Sequence, residues 1–199
     1  MNKRIVCWFS CGAASAVATK LAIDANAKAE DPLPLVVARV WLEEEHEDND
    51  RFAADCERWF GVPLTILKNE DYGGSIYRVF EKERYMAGVA GASCTKRLKK
   101  WVREAFEKPG DLQVFGYTAE EQDRVDSFLD ANNHVRLWPI LVEKQLGKSD
   151  CLAMVQRAGI KLPAMYALGY RNNNCIGCVK GGAGYWNKIR VDFPAAFDR

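Results

Sequence analysis

The chain reads as a doubly wound α/β protein, a five-stranded and mostly parallel sheet with helices on both faces and a cysteine-bearing C-terminal cap. Three observations predict this. Short apolar runs alternate with amphipathic stretches along most of the length. The first run, Ile5-Val6-Cys7-Trp8-Phe9, is continuously apolar, as expected of a strand buried on both faces. A small-residue turn follows it at once and opens an alanine-rich helical stretch, and parallel strands need such helical crossovers.

Each element follows in order. Residues 5–9 form the first strand, 10–15 the turn and 16–27 a helix. Residues 35–41 are the second strand. Asp48-Asn49-Asp50 can cap a helix on which Phe52, Cys56, Trp59 and Phe60 recur at helical spacing, and Gly61 closes it. Residues 63–67 read as the third strand, 75–85 and 96–106 as helices, and 112–117 as the fourth strand. A helix over 119–129 and a fifth strand or extended segment over 135–141 complete the sheet. These elements place an α/β domain at 1–145. From 146 onward the pattern changes to one helix, 149–158, and then loops, a cap packed on the same domain. Ligands of such sheets bind at the carboxyl ends of the strands, where the strand order reverses.

The bulk composition fits one domain with an appendage. The chain has 199 residues and 48% hydrophobic content, enough for a two-sided core. Its formal net charge of +1 advertises neither nucleic acid nor membrane, so local patches must carry any such argument. No apolar run approaches spanning length, and the N-terminal run is too short for a signal segment. A cytoplasmic protein is expected. Its seven cysteines, an odd number, favour free thiols and metal ligands over a disulfide framework.

Cys175-Ile176-Gly177-Cys178 is the most informative stretch. Two thiols three positions apart can grip one soft metal centre, and Cys94, 81 residues upstream, supplies a third. Three thiolates and one open position suit an iron–sulfur cluster, or a zinc ion with a fourth ligand elsewhere. A disulfide is the plain alternative for the pair. The turn Ser10-Cys11-Gly12-Ala13-Ala14-Ser15 is the second candidate site. Its small residues permit close backbone approach, and the following helix points its N-terminus at whatever anion sits there. It is neither a Walker A loop nor a dinucleotide fingerprint.

That turn, with Phe9 before it and Ala16-Val17 after it, resembles the pyrophosphate loop of the adenine nucleotide alpha-hydrolase superfamily. The closest likeness is to the phosphoadenylyl-sulfate (PAPS) reductase family, and especially to its compact phage and prophage-type members. The resemblance spans nearly the whole chain. Leu42-Glu43-Glu44-Glu45-His46-Glu47-Asp48-Asn49 follows the second strand where the family carries nucleotide contacts. Gly116-Tyr117-Thr118-Ala119-Glu120-Glu121-Gln122-Asp123-Arg124 is similar to the family's glycine-to-arginine segment. The run Leu162 to Tyr170 is similar to the one before its CxxC, and Ser93-Cys94 stands where cluster-bearing members have a cysteine pair. Two departures matter. Ala14 occupies the place of the aspartate in members that adenylate a substrate with ATP. No cysteine follows Cys178, whereas reductases of the family use a C-terminal cysteine as nucleophile.

The resemblance implies a Rossmann-like nucleotide-binding domain and an enzyme acting on sulfur, by sulfonucleotide reduction or by sulfur transfer. It implies an adenine nucleotide (ATP, APS or PAPS) held by residues 10–15 and Gly116. Glu45 and His46 are candidates for ribose or magnesium. A [4Fe-4S] cluster would sit on Cys94, Cys175 and Cys178, with Cys94, Lys96 and Arg124 as catalytic candidates. The basic residues Lys96, Lys99, Lys100 and Arg103 share one face of an α-helix, where they would meet a sulfate, a phosphate or a nucleic-acid backbone. A donor protein for electrons or sulfur, a nucleic-acid acceptor and a homodimer are the partners considered. The alternatives are a zinc-stapled modifier of tRNA or DNA and a non-catalytic nucleotide-binding module.

Overall fold

The computed structural model describes residues 3–199, which divide into two compact units. The first takes residues 3–39, 48–66 and 107–163; the second takes 40–47, 67–106 and 164–199.

The first unit is the α/β body. Strands β1 (Ile5–Trp8), β2 (Leu35–Val40), β3 (Leu64–Leu67), β6 (Leu112–Val114) and β7 (Arg136–Leu137) form one all-parallel sheet in the order β3-β2-β1-β6-β7. Register pairs Ile5 with Leu35 on one side and with Leu112 on the other. Every residue of β1 is buried, as its unbroken apolar run requires. After β3 the chain returns to the far side of β1, so the order reverses between β1 and β6.

Helix α1 (Ala13–Asn26) buries Ala16, Val17, Ala18 and Ala22, small side chains that let a helix lie close. It packs against α7 (Lys148–Arg157). Helix α2 (Asp48–Phe60) brings Phe52 and Phe60 to Phe9, with the Phe9 and Phe60 rings edge-on at 5.5 Å. Arg4 locks the entry of β1 to that of β6. Its Nε and Nη2 each donate to the buried Asp111 carboxylate at 3.0 Å, and Asp111 also accepts from the Lys108 N–H.

The last strand is shorter than the sequence predicts. β7 ends at Leu137, and 140–143 form a helical turn, α6 (Ile140–Glu143). Pro139 has no N–H to donate to a ladder, and its carbonyl instead accepts from Glu143. Helix α5 (Gln122–Ala131) follows a 3₁₀ turn at Ala119–Glu121, as the spacing predicts.

The second unit is mostly helical. It contains α3 (Ile76–Glu83), a hairpin of β4 (Ala87–Gly88) and β5 (Gly91–Ala92), and a π-helical turn, Thr95–Lys100, running into α4 (Trp101–Phe106). The short helices α8 (Ala164–Ala167), α9 (Ala183–Asp192) and α10 (Pro194–Phe197) end the chain. One core gathers Leu42, Tyr72, Ile76, Val79, Phe80, Leu98 and Cys175; another gathers Met165, Tyr170 and Ile189. The sequence reading expected loops where α9 and α10 stand. The spacing of Tyr185, Trp186 and Ile189 carries the missed signal, since all three belong to the second core and its rim. Among the described residues no helix is long and apolar enough to cross a membrane.

Candidate phosphate cradle and thiol site

The turn after β1 lies beside the reversal point between β1 and β6. Ser15 builds it. Its hydroxyl donates to the Gly12 carbonyl at 2.9 Å and accepts from the Ser10 N–H at 3.0 Å and the Ser10 hydroxyl at 3.1 Å. Ser15 is therefore committed to the loop and buried, while Ser10 stays exposed for a ligand. Cys11 adopts a left-handed φ of 54°, and its thiol, fully buried, reaches the Asn49 carbonyl at 3.8 Å. Gly12 caps α1 without a side-chain hydrogen bond, and the first turn holds no acidic residue, so the positive end of the helix dipole is not neutralised locally. Ala13 is buried and Ala14 half-buried. Gly116 closes the cradle from β6: a Cβ there would stand 2.5 Å from the Ser15 nitrogen.

Arg124 is exposed on α5. It pairs with Glu121 and lies 5.2 Å from the Tyr117 ring centroid, a cation against an aromatic face. An open cleft of about 450 Å³ also lies on this unit, lined by Arg51, Asp55, Arg58, Trp59 and Ile160 among others; no residue of the turn lines it. Its Arg51 is already engaged by Asp48 and Asp55 at 2.7 Å.

In the second unit Cys94 and Cys175 meet at one core, and Cys178 follows Cys175 in the same turn. Cys175 belongs to the core built on α3, and Cys94 packs against the same core. Burial raises the Cys94 thiol above its ordinary value, and negative charge on Cys178 adds to this, against relief from Lys99 and Lys180. Burial pushes the Cys175 thiol up to about 12, with Lys99 again the opposing charge. Lys99 is the cation whose charge acts on all three. The protein packed around its ammonium opposes the charge, although the side chain keeps solvent exposure. Cys175, Glu45, Cys178 and Cys94 outweigh that opposition and raise its pKa.

The CxxC loop is clasped by Tyr185. That hydroxyl accepts from the Cys178 N–H at 3.0 Å and donates to the Cys175 carbonyl at 2.7 Å. Gly177 has φ 80°, and a Cβ there would lie 2.8 Å from the Tyr77 hydroxyl. On its other side the loop is tied by the Ile176 N–H to the Glu44 carbonyl at 2.8 Å.

Residues 43–47 of the acidic run belong to the unit that holds the thiols. Glu45 acts on Lys99 and Cys175, and His46 stands edge-on to Phe193 at 6.0 Å. The basic face expected over 96–103 is split. The Trp101 N–H bonds to the Lys96 carbonyl, an i to i+5 pattern that turns the chain wider than an α-helix. Lys96, Lys99 and Lys100 stay exposed, and Arg103 is buried. Lys99 belongs to the basic face that the sequence pointed to, whereas Glu44 and Tyr185 are residues that sequence reasoning did not single out. Their roles come from tertiary partners.

The donor set fits a cluster bound through thiolates. None of the seven cysteines is in a disulfide, and the charge of Lys99 acts on three of them, drawn from two segments far apart in the chain. Binding there would expel the thiol protons that burial retains. Among the described residues no three His, Cys, Asp or Glu side chains converge tightly enough to hold a single metal ion. The thiolates of a four-iron cluster each take a different iron and stand farther apart than the ligands of one tetrahedral ion. Compared with known proteins, the chain matches no protein-family model and no curated sequence.

Proposed function

We propose that this protein is a cytoplasmic PAPS-reductase-like enzyme that binds an adenine nucleotide and a [4Fe-4S] cluster, and that it carries out sulfonucleotide reduction or nucleotide-dependent sulfur transfer. What supports the reading is that Cys94 and Cys175 meet at one core, with Cys178 in the same clasped turn as Cys175 and the charge of Lys99 acting on all three. Cys94, Cys175 and Cys178 would hold the cluster and leave one iron without a protein ligand. When bound, such a cluster supplies a Lewis-acidic iron able to take a sulfur species, or a one-electron relay.

The chain's own residues do the rest. Ser10 and the backbone from Gly12 onward hold phosphate oxygens at the positive end of α1, and Gly116 leaves the loop room to keep its shape. Lys99 offsets the negative charge of the thiolates and attracts an oxyanion to them. Exposed Lys96 and Arg124 offer further anion contacts. Reduction would draw its electrons from a donor protein, whereas transfer would need a sulfur donor and an acceptor, with nucleic acid among the candidates.

The test is composition first. Protein purified without oxygen should be brown and contain iron and acid-labile sulfide, both lost in Cys94→Ala. Colourless protein holding one zinc overturns the cluster. A melting-temperature screen with ATP, AMP, adenylyl sulfate and its 3′-phosphorylated form then names the substrate, because a ligand of the native state raises the midpoint by mass action. No shift with any of the four overturns the nucleotide reading.

A further inference from the structure

We infer that Glu44 is a positioning residue for the CxxC limb of the thiol site, setting where Cys175 and Cys178 stand with respect to Cys94. Its consequence for catalysis rests on the cluster reading above; its geometry does not.

Glu44 bonds in two directions. One carboxylate oxygen accepts from the Ser75 hydroxyl, and the other accepts from the Ile76 N–H at 2.8 Å. These donors stand at the start of α3, whose N-cap Ser75 supplies no side-chain cap of its own. Glu44 therefore takes that place from a remote segment, with its negative charge at the positive end of the helix. The main chain of the same residue accepts from the Ile176 N–H, inside the CxxC, at 2.8 Å. The neighbouring Glu43 N–H bonds to the Gly74 carbonyl at 3.1 Å, which fixes the strand of chain that presents both groups.

The apolar side of α3 completes the linkage. Ile76, Val79 and Phe80 pack in one core with Leu98 and Cys175, and Cys94 sits on the rim of that core. A shift of α3 moves the surface on which two of the three thiols rest. The loop is thus pinned at Ile176 by Glu44 and at Cys175 and Cys178 by Tyr185. A plain helix cap would involve the carboxylate alone. Here the carboxylate anchors the bracket and the carbonyl of the same residue holds the limb that the bracket carries.

The test uses the full chain with Glu44→Ala, Glu44→Gln and Ser75→Ala. Removing the carboxylate leaves the Ile76 N–H and the fully buried Ser75 hydroxyl without their acceptor. Amide hydrogen exchange across 172–179 should speed up about tenfold in Glu44→Ala, through the loss of two charge-assisted bonds, with distant segments unchanged. Glu44→Gln keeps an acceptor for Ile76 and should stay near the parent. Ser75→Ala keeps the Ile76 bond and should rise about threefold, so the inference stays testable if Glu44→Ala does not fold. In iron-loaded protein the cluster's midpoint potential should move in Glu44→Ala and return in Glu44→Gln. Exchange over 172–179 that matches the parent, or that rises only in step with every other segment, overturns the inference. A parent lacking iron and sulfide overturns the cluster reading instead, and the exchange comparison still decides the role of Glu44.

Discussion

At Gly116 the absent side chain is what lets two loops meet. A Cβ there would fall 2.5 Å from the nitrogen and 2.7 Å from the Cα of Ser15, both backbone atoms that cannot swing aside. Gly116→Ala should cost about 1–3 kcal/mol in urea unfolding and weaken nucleotide binding, as overpacking does. Gly184 is the control. It lies inside α9 with no atom within 4 Å of a built Cβ, so Gly184→Ala should stabilise by about 0.5–1 kcal/mol. Equal effects of the two substitutions would refute the account. Gly116 was legible only through the resemblance, which put it at the nucleotide; its close approach to the turn was not, because the sequence reading ran the strand through it to 117. Nor were the inward direction of Cys11 and the commitment of the Ser15 hydroxyl. Both depend on which acceptor, Asn49 or Gly12, folding brings within reach.

At the scale of the element, α3 is closed at its far end by charge. The Tyr72 hydroxyl donates to the Glu83 carboxylate at 2.6 Å, and Arg97 donates to the other oxygen while its guanidinium lies 3.7 Å from the Trp101 ring centroid. The Tyr72 bond first, and Arg97 second, hold the Glu83 carboxyl below the usual carboxylate range. A depressed folded-state pKa stabilises the fold fully above the ordinary glutamate value, near 4.3, and that stabilisation is lost as pH falls through the folded value. The melting temperature should therefore fall on acidification below about pH 5, and Tyr72→Phe should flatten that fall by returning Glu83 toward its ordinary value. If the full pH slope persists in Tyr72→Phe, Glu83 is not its source. The sequence showed the five strands and α1 to α3 because their apolar periods are strong. It missed the hairpin over 87–92, where two-residue strands leave no period to read. It treated 96–106 as one α-helix, because the π-turn leaves no mark in apolar spacing and shows only in the Trp101 to Lys96 bond.

At the scale of the molecule, each unit is assembled from three separate stretches of chain. Helix α7 belongs with the first unit and covers α1, burying Cys151 and Val155 completely. A chain cut after residue 145 lacks that cover and leaves the apolar side of α1 exposed to water. It should lose the cooperative thermal transition seen by circular dichroism, whereas a chain cut after 163 keeps every segment of the first unit. Cooperative melting of the shorter fragment would contradict this. The break in pattern near 146 was visible in the sequence, but the membership of α7 was not. An amphipathic helix declares that it has an apolar side and does not declare which neighbour will cover it.

The dispersal of the second unit along the chain also sets an order of events during synthesis. Cys94 leaves the ribosome well before Cys175 and Cys178 have been translated, and α3 emerges without the cysteine that completes its core. For that interval the nascent protein carries Cys94 without the two thiols of its unit and an uncovered greasy helix. The packing of α3 is complete only once the segment bearing Cys175 has been made.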